Sequence, residues 1–263
     1  MDDDPSTLPK EAKTALERAF ALMSQKRWGE AQVEFESALW ICEDAGCLEG
    51  TAEVSVNLGN LFMMAGDHAA AERMQRSALA VYERLGQSGG VAAVWGNIGT
   101  IALAQGKTAE GKHAYRRSVA HWEATGRTEE LLPLLIRFGE SFETSGDIAE
   151  AEWMYRKVLE ICERKGDQPR IASACVLIAV VLGIRGEFAA AEEFQRRALE
   201  IDSQLGRGDS MAIDHRNLGL FAAEMGRKED ALHHWLQARQ LYQRTGAVER
   251  ANEMEQWIKD LAK

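Results

Sequence analysis

Apolar residues along this chain keep to helical spacing, with charged residues between them and glycines punctuating the runs. The clearest stripe is Val248, Ala251, Met254, Ile258 and Leu261, three or four positions apart and therefore on one face of a helix. Segments such as Ala80-Val81-Tyr82-Glu83-Arg84-Leu85 run into a glycine, where a left-handed residue closes a helix without a Cβ clash. Only four prolines interrupt 263 residues, and Ala, Leu, Glu, Gln and Arg dominate, so the pattern predicts helices throughout and an all-α fold.

The glycines are periodic. Gly66, Gly106, Gly146, Gly186 and Gly226 stand 40 residues apart, and so do Gly46, Gly86, Gly126, Gly166, Gly206 and Gly246. A third series, Gly59, Gly99, Gly139 and Gly219, breaks only at Ala179. The Gly46 series marks helix ends and the Gly66 series the tight turn inside each helix pair. The Gly59 series falls within the first helix, where glycine costs about 1 kcal/mol relative to alanine, so close approach of a neighbouring helix must compensate. The second helix carries small residues at Ala31, Ala71, Ala151, Ala191 and Ala231, with Gly111 in the third repeat, and seven positions on at Ala38, Ala78, Ser118, Val158, Ala198 and Ala238. Such a pair cannot bury its apolar faces alone, so stability must come from stacking each on the next. The pattern places six helix pairs in 8–246, at 10–45, 50–85, 90–125, 128–165, 169–205 and 209–245, with a capping helix at 247–263 and a disordered segment at 1–7. The first pair is degenerate, with Ala19 and Lys26 where glycines would fall; Trp257, beside the last stripe, is expected to cover the final core layer. With no low-complexity linker, the chain reads as one continuous domain.

In Asn57-Leu58-Gly59-Asn60-Leu61-Phe62, through Gly66 to Ala71, and again in Phe138-Gly139-Glu140-Ser141-Phe142, through Gly146 to Ala151, the chain resembles the tetratricopeptide repeat (TPR) family. The resemblance spans nearly the whole chain. The family's common period is about 34 residues; the longer period here is similar to the variant in kinesin light chains, spindle-orientation adaptors and several bacterial regulators. HEAT and armadillo repeats, with periods of about 40 to 47, compete on length, but the Gly–Ala phase favours the TPR reading. The resemblance implies a right-handed α-α superhelical solenoid of about six TPR-like helix pairs.

Charge and chemistry narrow the function. A formal net charge of -10 argues against a nucleic-acid partner, whose binding rests on Lys and Arg neutralising phosphates. Met1-Asp2-Asp3-Asp4 leads into no apolar segment, and no long apolar run suggests membrane insertion, so a soluble, cytoplasmic chain is expected. Cys42, Cys47, Cys162 and Cys175 form no C-x-x-C pair and read as small core residues; Cys42 and Cys162 lie three repeat lengths apart. No phosphate-binding loop, nucleophile elbow or H-E-x-x-H is present. His233 and His234 point about 100° apart on a helix and cannot chelate one ion from one face. Glu192-Glu193 and Glu129-Glu130 read as solvated helix faces. No catalytic residue, metal site or cofactor is expected, and the chain reads as a non-enzymatic scaffold.

The resemblance also implies which positions of the first helices line a concave groove. They are Phe20, Met23, Val56, Asn57, Asn60, Met63, Met64, Asn97, Thr100, Leu103, Arg137, Glu140, Val180, Ile184, Arg216, Asn217, Leu220 and Glu224. Asparagine amides at Asn57, Asn97 and Asn217 can donate to and accept from a peptide backbone, or tie neighbouring helices together. Methionines beside them offer an adaptable apolar surface. Val56, Ala93 and Pro133 stand where the family's clamp for chaperone tails needs other residues, which disfavours that ligand. The expected partner is another protein, held as a peptide or amphipathic helix; a peptide-responsive regulator and a self-assembling scaffold, a homo-oligomer, are the alternatives.

Overall fold

The computed structural model describes residues 8–261, and among these it contains thirteen helices and no strand. The expected disordered segment at 1–7 lies outside the described residues. The helices are α1 (Lys10–Ser24), α2 (Trp28–Asp44), α3 (Leu48–Met64), α4 (His68–Leu85), α5 (Ser88–Ala104), α6 (Thr108–Thr125) and α7 (Thr128–Ser145), then α8 (Ile148–Lys165), α9 (Gln168–Ile184), α10 (Phe188–Gln204), α11 (Gly208–Glu224), α12 (Lys228–Thr245) and α13 (Val248–Leu261).

From Trp28 to Val248 each helix begins 20 residues after the one before. The two glycine series that sequence assigned to different turns make the same turn. Gly66 and Gly86 have φ of 81° and 66°, and the residue after each donates back five positions, Asp67 N–H to Phe62 O at 2.9 Å and Gln87 N–H to Tyr82 O at 3.0 Å. This bond satisfies one of the carbonyls a helix end leaves orphaned. Lys26 takes the same place in the first turn with φ of 60°, the one non-glycine residue at positive φ among those described. At the backbone level the repeat is therefore a single helix and turn. Side chains double the period to 40.

The doubling comes from one residue on each second helix. Phe35, Gln75, Tyr115, Tyr155, Gln195 and Trp235 recur 40 residues apart, and all are buried. In four repeats the glycine 16 positions earlier lies beneath this side chain. A Cβ at Gly59 would come within 2.7 Å of Gln75, at Gly99 within 2.5 Å of Tyr115, at Gly139 within 2.2 Å of Tyr155 and at Gly219 within 2.3 Å of Trp235. The helix-propensity cost of these glycines is thus offset by a large side chain from the paired helix. Gly111 follows the same logic, since a Cβ there would meet Leu103 at 2.7 Å.

The fold resolves into two compact bodies, residues 1–134 and 135–263, divided within α7. In the first, Ala12, Leu16, Phe35, Ala38, Cys42, Leu58 and Leu61 form one core cluster, and Ala78, Val91, Val94 and Ile98 another. In the second, Ala212, Trp235, Ala238, Tyr242, Ala251 and Met254 cluster against α13, where Trp257 meets Trp235 edge-on at 5.3 Å between ring centroids. α13 thus stands in the register of a further first helix and covers the last layer. Outside the cores, carboxylates on second helices bridge repeats. Glu72 pairs with Arg76 at 2.7 Å and Lys107 at 3.9 Å, and Glu192 pairs with Arg196 and Arg227. Glu192 is therefore a largely buried bridging residue rather than part of a solvated face.

A candidate partner-binding pocket on α9 and α11

α9 carries one charged residue, Arg170, and buries Ile171, Cys175, Ile178 and Leu182, so its sequence suits a helix enclosed on most sides. Near its C-terminus Gly183 lacks the side chain that would reach Phe221 of α11; a Cβ there would come within 2.8 Å of the ring. That gap, with Phe188 at the start of α10, opens a cavity of about 420 Å³. Its apolar wall is Val180, Ile184, Phe188, Leu220 and Phe221, and its polar groups belong to Arg216, Asn217 and Glu224.

Four consecutive polar residues on α11 point four ways, as a turn of about 100° per residue requires. Asp214 is fully buried, and its Oδ1 accepts from Gln195 Nε2 of α10 at 2.6 Å. His215 faces α12, with its Nδ1 3.0 Å from that of His234. Arg216 turns its guanidinium to the cavity, where Nε and Nη2 donate to Asn217 Oδ1 at 3.3 and 3.2 Å. Asn217 Nδ2 in turn donates to Gln195 Oε1 at 3.1 Å. Among the described residues no carboxylate lies within ion-pair distance of Arg216, which is half-buried against apolar side chains. Burial, then the neighbouring Asp202, pushes the Asp214 carboxyl up to about 7. Burial, then the charge of His234, pushes His215 down to about 4, and burial lowers His234 also, so the imidazole pair is neutral at ordinary pH. Among the described residues no group of three or more histidines, cysteines or carboxylates is placed to hold a metal ion.

Six of the residues singled out in the sequence, Val180, Ile184, Arg216, Asn217, Leu220 and Glu224, line this one cavity. Of the rest in the second body, Arg137 and Glu140 are exposed on α7, Arg137 lying 5.9 Å from the Phe138 ring. In the first body, Met64 is 60% exposed and Phe20 sits edge-on to Phe35 at 5.4 Å. Met23, Val56, Asn57, Met63 and Leu103 are half-buried. Asn60 Oδ1 accepts from Gln75 Nε2 at 3.2 Å, Asn97 Nδ2 donates to Gln75 Oε1 at 3.3 Å, and Thr100 Oγ1 lies 2.9 Å from the Tyr115 hydroxyl. Asn97 and Asn217 therefore share one geometry. Each donates to the buried glutamine 22 positions earlier. Gly183, Phe188 and Phe221 were missed in the sequence; the one available signal was Gly183, a glycine outside all three periodic series. The pairing of His215 with His234 was also missed, because a contact between helices leaves no trace in local spacing.

Comparison with known proteins assigns the repeats. Tetratricopeptide repeat models match residues 10–84 and 90–164, and a further one matches 171–201. The chain belongs to the tetratricopeptide repeat family, whose members are in general interaction scaffolds and not catalysts. A kinesin-light-chain-like protein of nearly identical TPR repeats from Podosopora anserina is similar at 18% identity and a TM-score of 0.59, over 79% of this chain and 100% of that one. BtubC (BKLC) from P. vanneervenii is similar at 17% identity and a TM-score of 0.57, over 93% of each chain. Aspartyl phosphate phosphatase F from Bacillus subtilis is similar at 12% identity and a TM-score of 0.58, over 96% of this chain and 70% of that one. At these identities the likeness is one of fold, an all-α repeat fold. No curated protein matches the chain in sequence. Among the described residues no helix is long and apolar enough to cross a membrane.

Proposed function

We propose that this chain is a non-enzymatic scaffold or adaptor that holds a peptide or helical segment of another protein, and that the α9–α11 pocket takes one apolar side chain of that segment while Arg216 takes an acidic group beside it. One observation carries the reading. A half-buried guanidinium lines a largely apolar cavity of about 420 Å³ that has Glu224 on its wall, and among the described residues no carboxylate lies in ion-pair reach of it. A cation so placed has lost part of its hydration without a counter-charge, and a ligand carboxylate supplies the missing partner. The cavity has room for a leucine- or phenylalanine-sized side chain. Its shape is preformed by Gly183 and Phe221, which lowers the ordering cost of binding. The four buried, unbridged cysteines suit the reducing cytoplasm.

The test is calorimetry with short synthetic peptides carrying Leu-Asp, Leu-Lys or Ser-Asp at their centre. The Leu-Asp peptide binds, the other two bind at least about tenfold more weakly, and both Leu220→Glu and Arg216→Glu abolish binding at unchanged helicity. Equal binding of Leu-Lys and Leu-Asp refutes the role given to Arg216. Binding lost to Asn57→Ala/Met63→Glu and not to Leu220→Glu moves the site to the first body, and mass that grows with concentration in the absence of peptide favours self-assembly.

A further inference from the structure

Behind the pocket, α10 and α11 share a buried polar chain with one direction. Arg216 donates to Asn217, Asn217 Nδ2 donates to Gln195 Oε1, and Gln195 Nε2 donates to Asp214 Oδ1 at 2.6 Å. Every amide in it is oriented by a cation at one end and a carboxyl group at the other, and such chains polarise one another in a low-dielectric interior. Asp214 Oδ2 is buried with no partner except the neighbouring Asp202, itself 2% exposed and 3.2 Å from the Arg207 guanidinium. Two carboxylates this close cannot both ionise cheaply. The arrangement suits a proton on Asp214 and a charge on Asp202 beside Arg207.

We propose that the pocket is proton-linked: Arg216 is wired through Asn217 and Gln195 to the Asp214–Asp202 pair, so that a ligand carboxylate on Arg216 and a proton on Asp214 favour each other. This rests on the pocket reading above. The physical cause is the charge of Arg216. With the pocket empty, the guanidinium stabilises ionised Asp214 along the chain; a bound carboxylate neutralises it, and Asp214 holds its proton to higher pH. By linkage the ligand then binds more tightly when Asp214 is protonated. The groups facing Asp214 leave this pair as the system that titrates near neutrality. From α9 comes Cys175, whose thiol burial pushes up to about 11. From α10 come Asp202 and Gln195, from the turn before α11 comes Arg207, and on α11 itself Ser210 bonds Asp202, while His215 and Arg216 point to other faces of that helix. From α12 comes His234, which faces His215, both being held neutral.

The experiment is a ¹³C NMR titration of the aspartate carboxyls in the full chain, with N-acetyl-leucyl-aspartyl-amide as the probe. In the wild type the Asp214 carboxyl titrates near pH 7; Arg216→Gln raises that midpoint by about half a unit or more, and Arg216→Lys, which keeps the charge, moves it less. Saturating probe raises the wild-type midpoint, takes up protons at pH 7, and binds about fivefold more weakly at pH 8 than at pH 6. An unmoved midpoint in folded Arg216→Gln overturns the proposal, as does probe binding that is independent of pH and takes up no proton, with the pocket reading left intact. If the probe does not bind while Arg216→Gln still moves the midpoint, the wiring stands and the ligand assigned to the pocket is what fails.

Discussion

Gly139→Ala sets two physical rules against each other. Helix propensity alone says that alanine in the middle of α7 stabilises the chain by about 1 kcal/mol. The packing says the reverse, because the added Cβ would lie 2.2 Å from Cε1 and 2.7 Å from Cζ of Tyr155. Tyr155 is fully buried and its hydroxyl donates to Glu143, so the ring cannot swing aside without losing that bond. Overpacking of this kind costs about 1–3 kcal/mol, and a hydrogen bond to a charged group about 1.5–3 kcal/mol. Set against the propensity gain, a net loss of about 2 kcal/mol follows, a fall in Tm of about 4–8 °C for a chain of this size. Thermal unfolding followed by circular dichroism measures it. The fifth repeat supplies the compensating change, since Ala179 and Gln195 occupy the same two positions there. Gly139→Ala/Tyr155→Gln is therefore expected to be more stable than the sum of its single variants predicts, by about 1 kcal/mol or more. A Gly139→Ala chain that melts at or above the wild-type temperature, with no coupling in the double variant, refutes the account of the glycine series.

Three further outcomes are expected. The Asp214 carboxyl is raised in the folded chain to about 7, so its contribution to stability is fully present below the unfolded carboxylate range and is lost as pH rises from about 4 through 7; Asp214→Asn removes that loss, and its advantage over the wild type in unfolding free energy, measured by urea titration, grows toward pH 8, to at most about 4 kcal/mol. Lys26→Gly relieves the left-handed backbone of the first turn and raises stability by about 1 kcal/mol, seen as a higher urea midpoint; no change would mean that the lysine is unstrained at φ of 60°. Cys42 and Cys175, buried and with thiols pushed up to about 11, react with a thiol reagent at neutral pH only as fast as the chain opens, so labelling that outpaces hydrogen exchange of α2 and α9 would contradict their burial.

The repeat was legible in the sequence because its punctuation is local. A glycine at positive φ after each helix from α2 to α12 is a demand of the backbone, independent of what packs around it, and the stripe from Val248 to Leu261 declares its buried face by spacing alone. Six of the residues that line the pocket were singled out through the family resemblance, which assigns one set of first-helix positions to a groove. The third glycine series declared the close approach of a neighbouring helix, and what spacing could not show was which side chain makes it. Gly59 and Gly66 look alike as letters. Gly66 serves a turn, whereas Gly59 lies beneath Gln75, a residue on another helix.

The same holds for the polar residues of α11. Sequence determined that Asp214, His215, Arg216 and Asn217 sit on one helix about 100° apart. Only the packing of α9, α10 and α12 against it decided that Asp214 meets Gln195 and Asp202, that His215 meets His234, and that Arg216 faces a largely apolar cavity with no carboxylate of the described residues in ion-pair reach. Helices and turns arise from interactions a few residues apart, which the order of residues specifies directly. A carboxyl's proton and a cation's missing partner depend on which groups the stacking brings within a few ångströms, and that is settled across repeats.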